Sequence, residues 1–199
     1  MNLLGYFNEV ESPGWTTAGE DVQFKVVNRV LYLQCSHGLS DWLHNLDAVR
    51  AVYADSEVSF IAHRGFTKLW LSIKDEIEKL DFDTIVGYSE GSAIAVYVHE
   101  NFYHRKGYEP RTYAFGCPAV IWKPNRALRS RFSNFTIIIN PRDIVYYCAL
   151  LLGYRHVGIT KKLPRVRLSK KKTWRERLAD LTGHTPERYR LALKEFQCG

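Results

Sequence analysis

Phe82-Asp-Thr-Ile-Val-Gly-Tyr-Ser-Glu-Gly-Ser-Ala-Ile-Ala-Val-Tyr-Val98 is the most informative stretch of this chain. Thr84-Ile85-Val86 is a short β-branched run that predicts a buried strand. It leads straight into Gly87-Tyr88-Ser89-Glu90-Gly91, and Ala93 to Tyr97 then supply the small and apolar residues of a helix. Strand, Gly-x-Ser-x-Gly, helix is the pattern of a nucleophile elbow. A serine on so tight a turn sits in strained backbone, and the two glycine positions must lack a Cβ for strand and helix to pack together. The hydroxyl is then held above the sheet edge, and the helix turns unsatisfied N–H groups toward any developing oxyanion. A plain strand-to-helix turn with a capping serine would use the same residues, so the rest of the chain must supply the partners.

On either side, strands and helices alternate. Val22 to Val27 and Val30 to Cys35 flank Asn28-Arg29 and predict a hairpin. Ser40 can cap a short helix with Leu39, Trp42, Leu43 and Leu46 on one face. Glu57 to Ala62 reads as a strand, and Leu69, Trp70, Ile73, Ile77 and Leu80 recur at helical spacing over Thr67 to Leu80. Beyond the elbow, Gly107 ends a helix, Arg111 to Phe115 and Phe135 to Ile139 predict strands, and Tyr154 to Ile159 and Arg165 to Leu168 predict two shorter ones. Thr185-Pro186 starts a last helix, with Thr185 as its N-cap. Residues 1 to 20 read as polar and turn-rich. The expectation is one α/β domain over residues 1–199, a central and mostly parallel sheet with helices on both faces.

Composition sets outer limits. With 199 residues, 46% hydrophobic and 25% charged, the chain has the make-up of a folded domain. Four widely spaced cysteines without a CxxC pair read as reduced thiols, and no cluster of His, Cys and carboxylates has metal-ligand spacing. No metal or organic cofactor is expected. The N-terminus lacks the build of a signal peptide and no apolar run is long enough to span a bilayer, which leads to an expectation of a cytoplasmic protein. The net charge of +7 is concentrated late: Lys161 to Arg177 carries nine Lys or Arg against one acid, Glu176. Such a run is usually a solvated face, and it also suits peripheral attachment to an anionic membrane. Neither zinc-finger spacing nor an RNP-like aromatic motif supports nucleic-acid binding.

A serine nucleophile needs a base, and the base an orienting carboxylate. On α/β sheets with this elbow the chain order is Ser, acid, His. After Ser89 only Asp143 and Asp180 are aspartates, and Asp143 sits just past the carboxyl end of a buried strand, where open sheets place functional groups. A capping aspartate would occupy the same position. Among the histidines, His99 and His104 lie on the elbow helix and His156 lies within a predicted strand. His184, in the loop Thr182-Gly-His-Thr185, has the freedom a base requires.

These features, in this order, resemble the class 3 (fungal-type) lipases of the α/β-hydrolase superfamily: Ser36 ahead of Asp41-Trp42-Leu43, His63-Arg-Gly-Phe66, Gly87-Tyr-Ser-Glu-Gly91, Tyr113-Ala-Phe-Gly-Cys-Pro118, Asn140-Pro-Arg-Asp143, Tyr154-Arg-His156, and His184 with Tyr189. The resemblance spans most of residues 22 to 194. It implies Ser89 as nucleophile, Asp143 as acid and His184 as base, with Ser36 and the backbone N–H of Glu90 as oxyanion hole, His156 as a structural residue, and a lid after the oxyanion position. It also implies hydrolysis of carboxylic esters of acylglycerols or phospholipids. Two departures stand out: Tyr88-Ser89-Glu90 where the family commonly has His-Ser-Leu, and Gln34-Cys35 where it often has Arg-Gly. The rival expectation is a non-catalytic lipase-like module that binds anionic membrane surfaces through its basic C-terminal third.

Overall fold

The computed structural model of the chain describes residues 2–35, 47–54, 59–166 and 183–198. Its elements in order are α1 (Leu3–Val10), β1 (Thr16–Ala18), β2 (Val22–Val27), β3 (Val30–Cys35), β4 (Arg50–Tyr53), β5 (Phe60–His63), α2 (Arg64–Ile77), β6 (Thr84–Tyr88), α3 (Glu90–Lys106), β7 (Arg111–Phe115), β8 (Ile121–Trp122), α4 (Arg126–Ser130), β9 (Phe135–Ile139), α5 (Ile144–Cys148) with a 3-10 turn (Ala149–Leu152), β10 (Tyr154–Arg155), β11 (Ile159–Lys162) and α6 (Pro186–Cys198). The main sheet has the order β1-β2-β3-β6-β7-β9-β11. β1, β2 and β3 pair antiparallel, and every neighbour from β3 to β11 is parallel. A smaller sheet, β10-β8-β5-β4, is antiparallel. This is the central, mostly parallel sheet with helices on both faces that the sequence predicts.

The central strands are buried on both faces, and period-two alternation sorts their side chains into two cores. Leu31, Leu33, Ile85, Ala114, Ile137 and Ile139 face α2 and α3; Val30, Tyr32, Val86, Tyr113, Phe115 and Ile138 face α1 and α6. α3 lies between the sheet and α2 and is buried from Gly91 to Phe102, so it shows no polar stripe. α2 keeps the amphipathic spacing seen in the sequence, with Phe66, Trp70, Ile73 and Ile77 buried, although it begins three residues earlier and ends three earlier than expected.

Four local expectations are corrected. The first twenty residues contain a packed helix: α1 buries Leu3, Phe7 and Val10, each worth about 1.5–3 kcal/mol of burial. The rings that Phe7 meets, Tyr88, Phe115 and Tyr189, are more than eighty residues away, and no local pattern announces them. Residues 154–159 are not one strand, because the chain turns out at His156-Val157-Gly158 and resumes in β11. Arg165 and Val166 are not in a strand, while Arg167 and Leu168 lie outside the described residues. Thr185 precedes α6, but its buried hydroxyl has no hydrogen-bond partner and so does not cap it. The hairpin at Asn28-Arg29 forms as expected, both residues taking positive φ (51° and 61°) in the turn. The predicted helix over 39–46 and most of the run 161–177 also lie outside the described residues.

Candidate active site

Ser89 stands between β6 and α3 with φ 56° and ψ −125°, a strained conformation for any residue but glycine. Its N–H donates to the Phe115 carbonyl at 2.9 Å, which ties the turn to β7. The elbow glycines are forced by close approach: a Cβ on Gly91 would lie 2.2 Å from the Leu33 carbonyl oxygen, and one on Gly87 would lie 2.6 Å from Ser92 Cα. Side chains at either position would push α3 off the sheet.

The chain brings two distant segments to this turn. Ser89 Oγ lies 2.8 Å from His184 Nε2, and His184 Nδ1 lies 2.7 Å from Asp143 Oδ2. A carboxylate only accepts, so Nδ1–H donates to Asp143, and in the neutral ring Nε2 accepts from the serine hydroxyl. Asp143 is fully buried and His184 is 4% exposed.

Asp143 follows β9 through a turn in which Asn140 Oδ1 accepts from the Arg142 N–H. Its Oδ1 caps α5 by accepting from the Val145 N–H at 2.9 Å, while Oδ2 faces His184. One carboxylate thus fills the capping role weighed from the sequence and also holds the imidazole. The Tyr189 hydroxyl, in the first turns of α6, donates to the same Oδ2 at 2.5 Å. Burial first, and the Asp143 charge second, push the Tyr189 phenol well above its usual pKa, so it remains a donor.

Two further residues shape the site. The Tyr88 ring stacks on the His184 imidazole (centroids 5.2 Å apart, planes 10° apart), and its hydroxyl donates to the His184 backbone carbonyl at 2.9 Å. Burial and the nearby Asp143 charge raise this phenol as well. Tyr88, a mere departure from pattern in the sequence, is a wall of the site. Gly116, at φ 61°, leaves the space behind the pair: a Cβ there would come within 2.6 Å of His184 Cε1 and 3.0 Å of Asp143 Oδ2. The break at Gly116-Cys117-Pro118 was the only sequence sign of it.

Of the remaining expected residues, Glu90 opens α3 immediately after Ser89, which puts its backbone N–H at the helix N-terminus. Ser36, Asp180 and the lid segment Leu39 to Leu46 lie outside the described residues. His156 stands apart: Nε2 meets the Tyr146 carbonyl at 2.9 Å, and its ring stacks on Tyr146. Cys117 is a buried thiol that burial pushes up to about 12, and Cys148 is likewise free. Among the described residues no group of three His, Cys, Asp or Glu could hold a metal ion, and no helix is long and apolar enough to cross a membrane.

No protein-family model matches the sequence, and no curated protein matches it either. Solved structures do match. Lipase II from Rhizopus niveus superposes with a TM-score of 0.63 at 16% identity, over 75% of this chain and 64% of that one. MDLA from Penicillium cyclopium, in a mutant form, gives 0.60 at 21% identity over 80% and 66%. The mono- and diacylglycerol lipase from Aspergillus oryzae gives 0.57 at 20% identity over 82% and 72%. The chain spans a little under two thirds of the length of the first two. On these superpositions the chain has the α/β-hydrolase fold of the fungal, class 3 lipases.

Proposed function

We propose that the chain is a serine ester hydrolase of the class 3 lipase type, working as one domain over residues 1–199. The observation that carries this reading is the unbroken run from Ser89 Oγ to His184 to Asp143, at 2.8 and 2.7 Å, with the serine on a strained elbow. Ser89 attacks the ester carbonyl while His184 Nε2 takes its proton. Asp143 fixes the tautomer and stabilises the imidazolium, and Tyr189 holds the carboxylate in place. Collapse of the tetrahedral intermediate expels the alcohol with the proton from His184. Water, activated by the same base, then frees the acid. The Glu90 N–H at the head of α3, together with the Ser36 N–H, receives the oxyanion.

Carboxylic esters of acylglycerols or phospholipids are the proposed substrates. The printed names of the structural neighbours support this class: lipases, one of them a mono- and diacylglycerol lipase.

Fluorophosphonate labelling and turnover of a short-chain chromogenic ester test the reading. The wild-type chain should label at Ser89 and turn over. Ser89→Ala should abolish both and keep the fold, with kcat down by about 10⁴ or more. A folded wild-type protein that neither labels nor hydrolyses any acyl ester would overturn the proposal in favour of a non-catalytic module.

A further inference from the structure

The segment after Asp143, Ile144-Val-Tyr-Tyr-Cys-Ala-Leu-Leu-Leu152, contains no charged residue. It forms α5 and the 3-10 turn, and its inner face is filled by Val145 and Ala149, both buried. The outer face of a surface helix is ordinarily polar. Here it presents Ile144 (51% exposed), Tyr147, Leu151 (90%) and Leu152 (47%), with Ile144, Tyr147 and Leu151 at positions i, i+3 and i+7. Single exposed apolar side chains are unremarkable, but a contiguous ridge marks an interaction surface. This ridge begins one residue beyond the carboxylate that holds His184.

The foot of the ridge is basic. The Arg50 guanidinium donates to the Leu152 carbonyl at 3.4 Å and lies over the Trp122 ring at 4.4 Å. Lys123 Nζ lies 4.6 Å from the same ring. Arg155 donates to the Leu150 carbonyl at 3.2 Å. All three side chains are exposed, and among the described residues none is paired with a carboxylate. Three cations anchored to neutral groups around an apolar tip, with an indole between two of them, match the layering of a bilayer surface: phosphates outside, acyl chains within.

We propose that this ridge docks the protein on an anionic lipid bilayer. Leu151 and Leu152 enter the headgroup–acyl boundary, and Arg50, Lys123 and Arg155 meet anionic headgroups. The choice of a bilayer as occupant, ahead of a second protein, rests on the ester-hydrolase reading. It is also favoured by shape, since one short turn is a small area for a stable protein interface.

The test measures binding without turnover. Full-length chain carrying Ser89→Ala is co-sedimented at low salt with vesicles of phosphatidylcholine, or of phosphatidylcholine with about three in ten phosphatidylserine. Binding should favour the anionic vesicles and weaken with added salt. Leu151→Ser with Leu152→Ser should reduce it about tenfold, and Leu151→Trp should strengthen it. Arg50→Gln, Lys123→Gln and Arg155→Gln together should remove most of the preference for anionic vesicles. On an intact Ser89 background the leucine variants should hydrolyse a water-soluble ester at the wild-type rate, which shows that they fold.

Equal binding to both vesicles, or binding untouched by the leucine changes, would overturn the proposal. So would concentration-dependent dimerisation abolished by Leu151→Ser, which would give the ridge to a second copy of the chain. The two readings fail separately: lost turnover with ridge-dependent binding leaves the dock intact, and turnover without ridge-dependent binding leaves only the hydrolase.

Discussion

Among the described residues four histidines are largely withdrawn from water, and they divide by what they face. His184 has Asp143 at Nδ1 and Ser89 at Nε2. His63 has no hydrogen-bond partner at either nitrogen, His99 meets the Thr112 hydroxyl and the Arg131 carbonyl, and His156 meets the Tyr146 carbonyl. Burial holds these three down at about 4, and for His63 and His99 it outweighs the attraction of Asp47 and Glu109. Hydroxyls and carbonyls accept one proton but give little to a full positive charge. His184 lies against a fully buried carboxylate, Asp143, whereas Glu109, 3.6 Å from His99 Nε2, is partly exposed. The difference teaches that the surroundings of a histidine, more than its burial, decide whether it can carry charge through a reaction.

The largest test of this contrast is direct. His184→Ala should lower kcat on a chromogenic ester by about 10⁴ or more with little loss of stability. His156→Ala should leave kcat within a few fold and cost about 1–3 kcal/mol in denaturant unfolding. If the two outcomes exchange places, the division is wrong.

A second test uses pH. A histidine whose pKa in the folded state is below its unfolded value stays neutral in the fold and gains its proton on unfolding. Its contribution is intact above about 6.5 and is lost as pH falls toward 4. Glu100 works in the opposite sense, because burial raises it to about 7 and it is protonated in the fold first. With three protons gained and one released, unfolding between these limits takes up about two. Stability should therefore fall with a steepest slope of about 3 kcal/mol per pH unit. Urea midpoints that stay flat from pH 6.5 to 4.5 would contradict the assignment. Glu100→Gln should steepen the slope, and His63→Phe should flatten it.

Smaller effects probe the surroundings of His184. Tyr189→Phe removes one donor from Asp143 Oδ2 and should lower kcat about tenfold with KM nearly unchanged, while His184 keeps its other contacts. Tyr88→Phe keeps the stacked ring and removes only the bond to the His184 carbonyl, so a loss of no more than about threefold in kcat is expected. A larger loss from Tyr88→Phe than from Tyr189→Phe would show that loop position matters more than the carboxylate.

Much of the architecture was legible because it is written in local periodicity. Ile85 against Val86, Ala114 against Phe115 and Ile137 against Ile138 alternate in sequence and sort to opposite cores in space. The positions of Ser89, Asp143 and His184 were legible because strand ends, loops and chain order leave few alternatives. What stayed hidden depends on distant partners. Phe7 makes sense only beside Tyr88, Phe115 and Tyr189, and Gly116 only beneath His184 and Asp143. Two-residue strands such as β8 and β10 are too short to show a period at all.

The contact between α1 and α6 has a kinetic consequence. Phe7 stacks on Tyr189, and Glu11 pairs with Arg190 across 179 residues of chain. Closing a loop of that size costs about 4–5 kcal/mol in chain entropy before any contact repays it, so these contacts belong to the end of the folding reaction. Phe7→Ala should then speed unfolding and leave the folding rate almost unchanged. Tyr189 also fastens Asp143, so recovery of ester turnover during refolding should lag the return of helical signal, with activity appearing as the two ends of the chain meet.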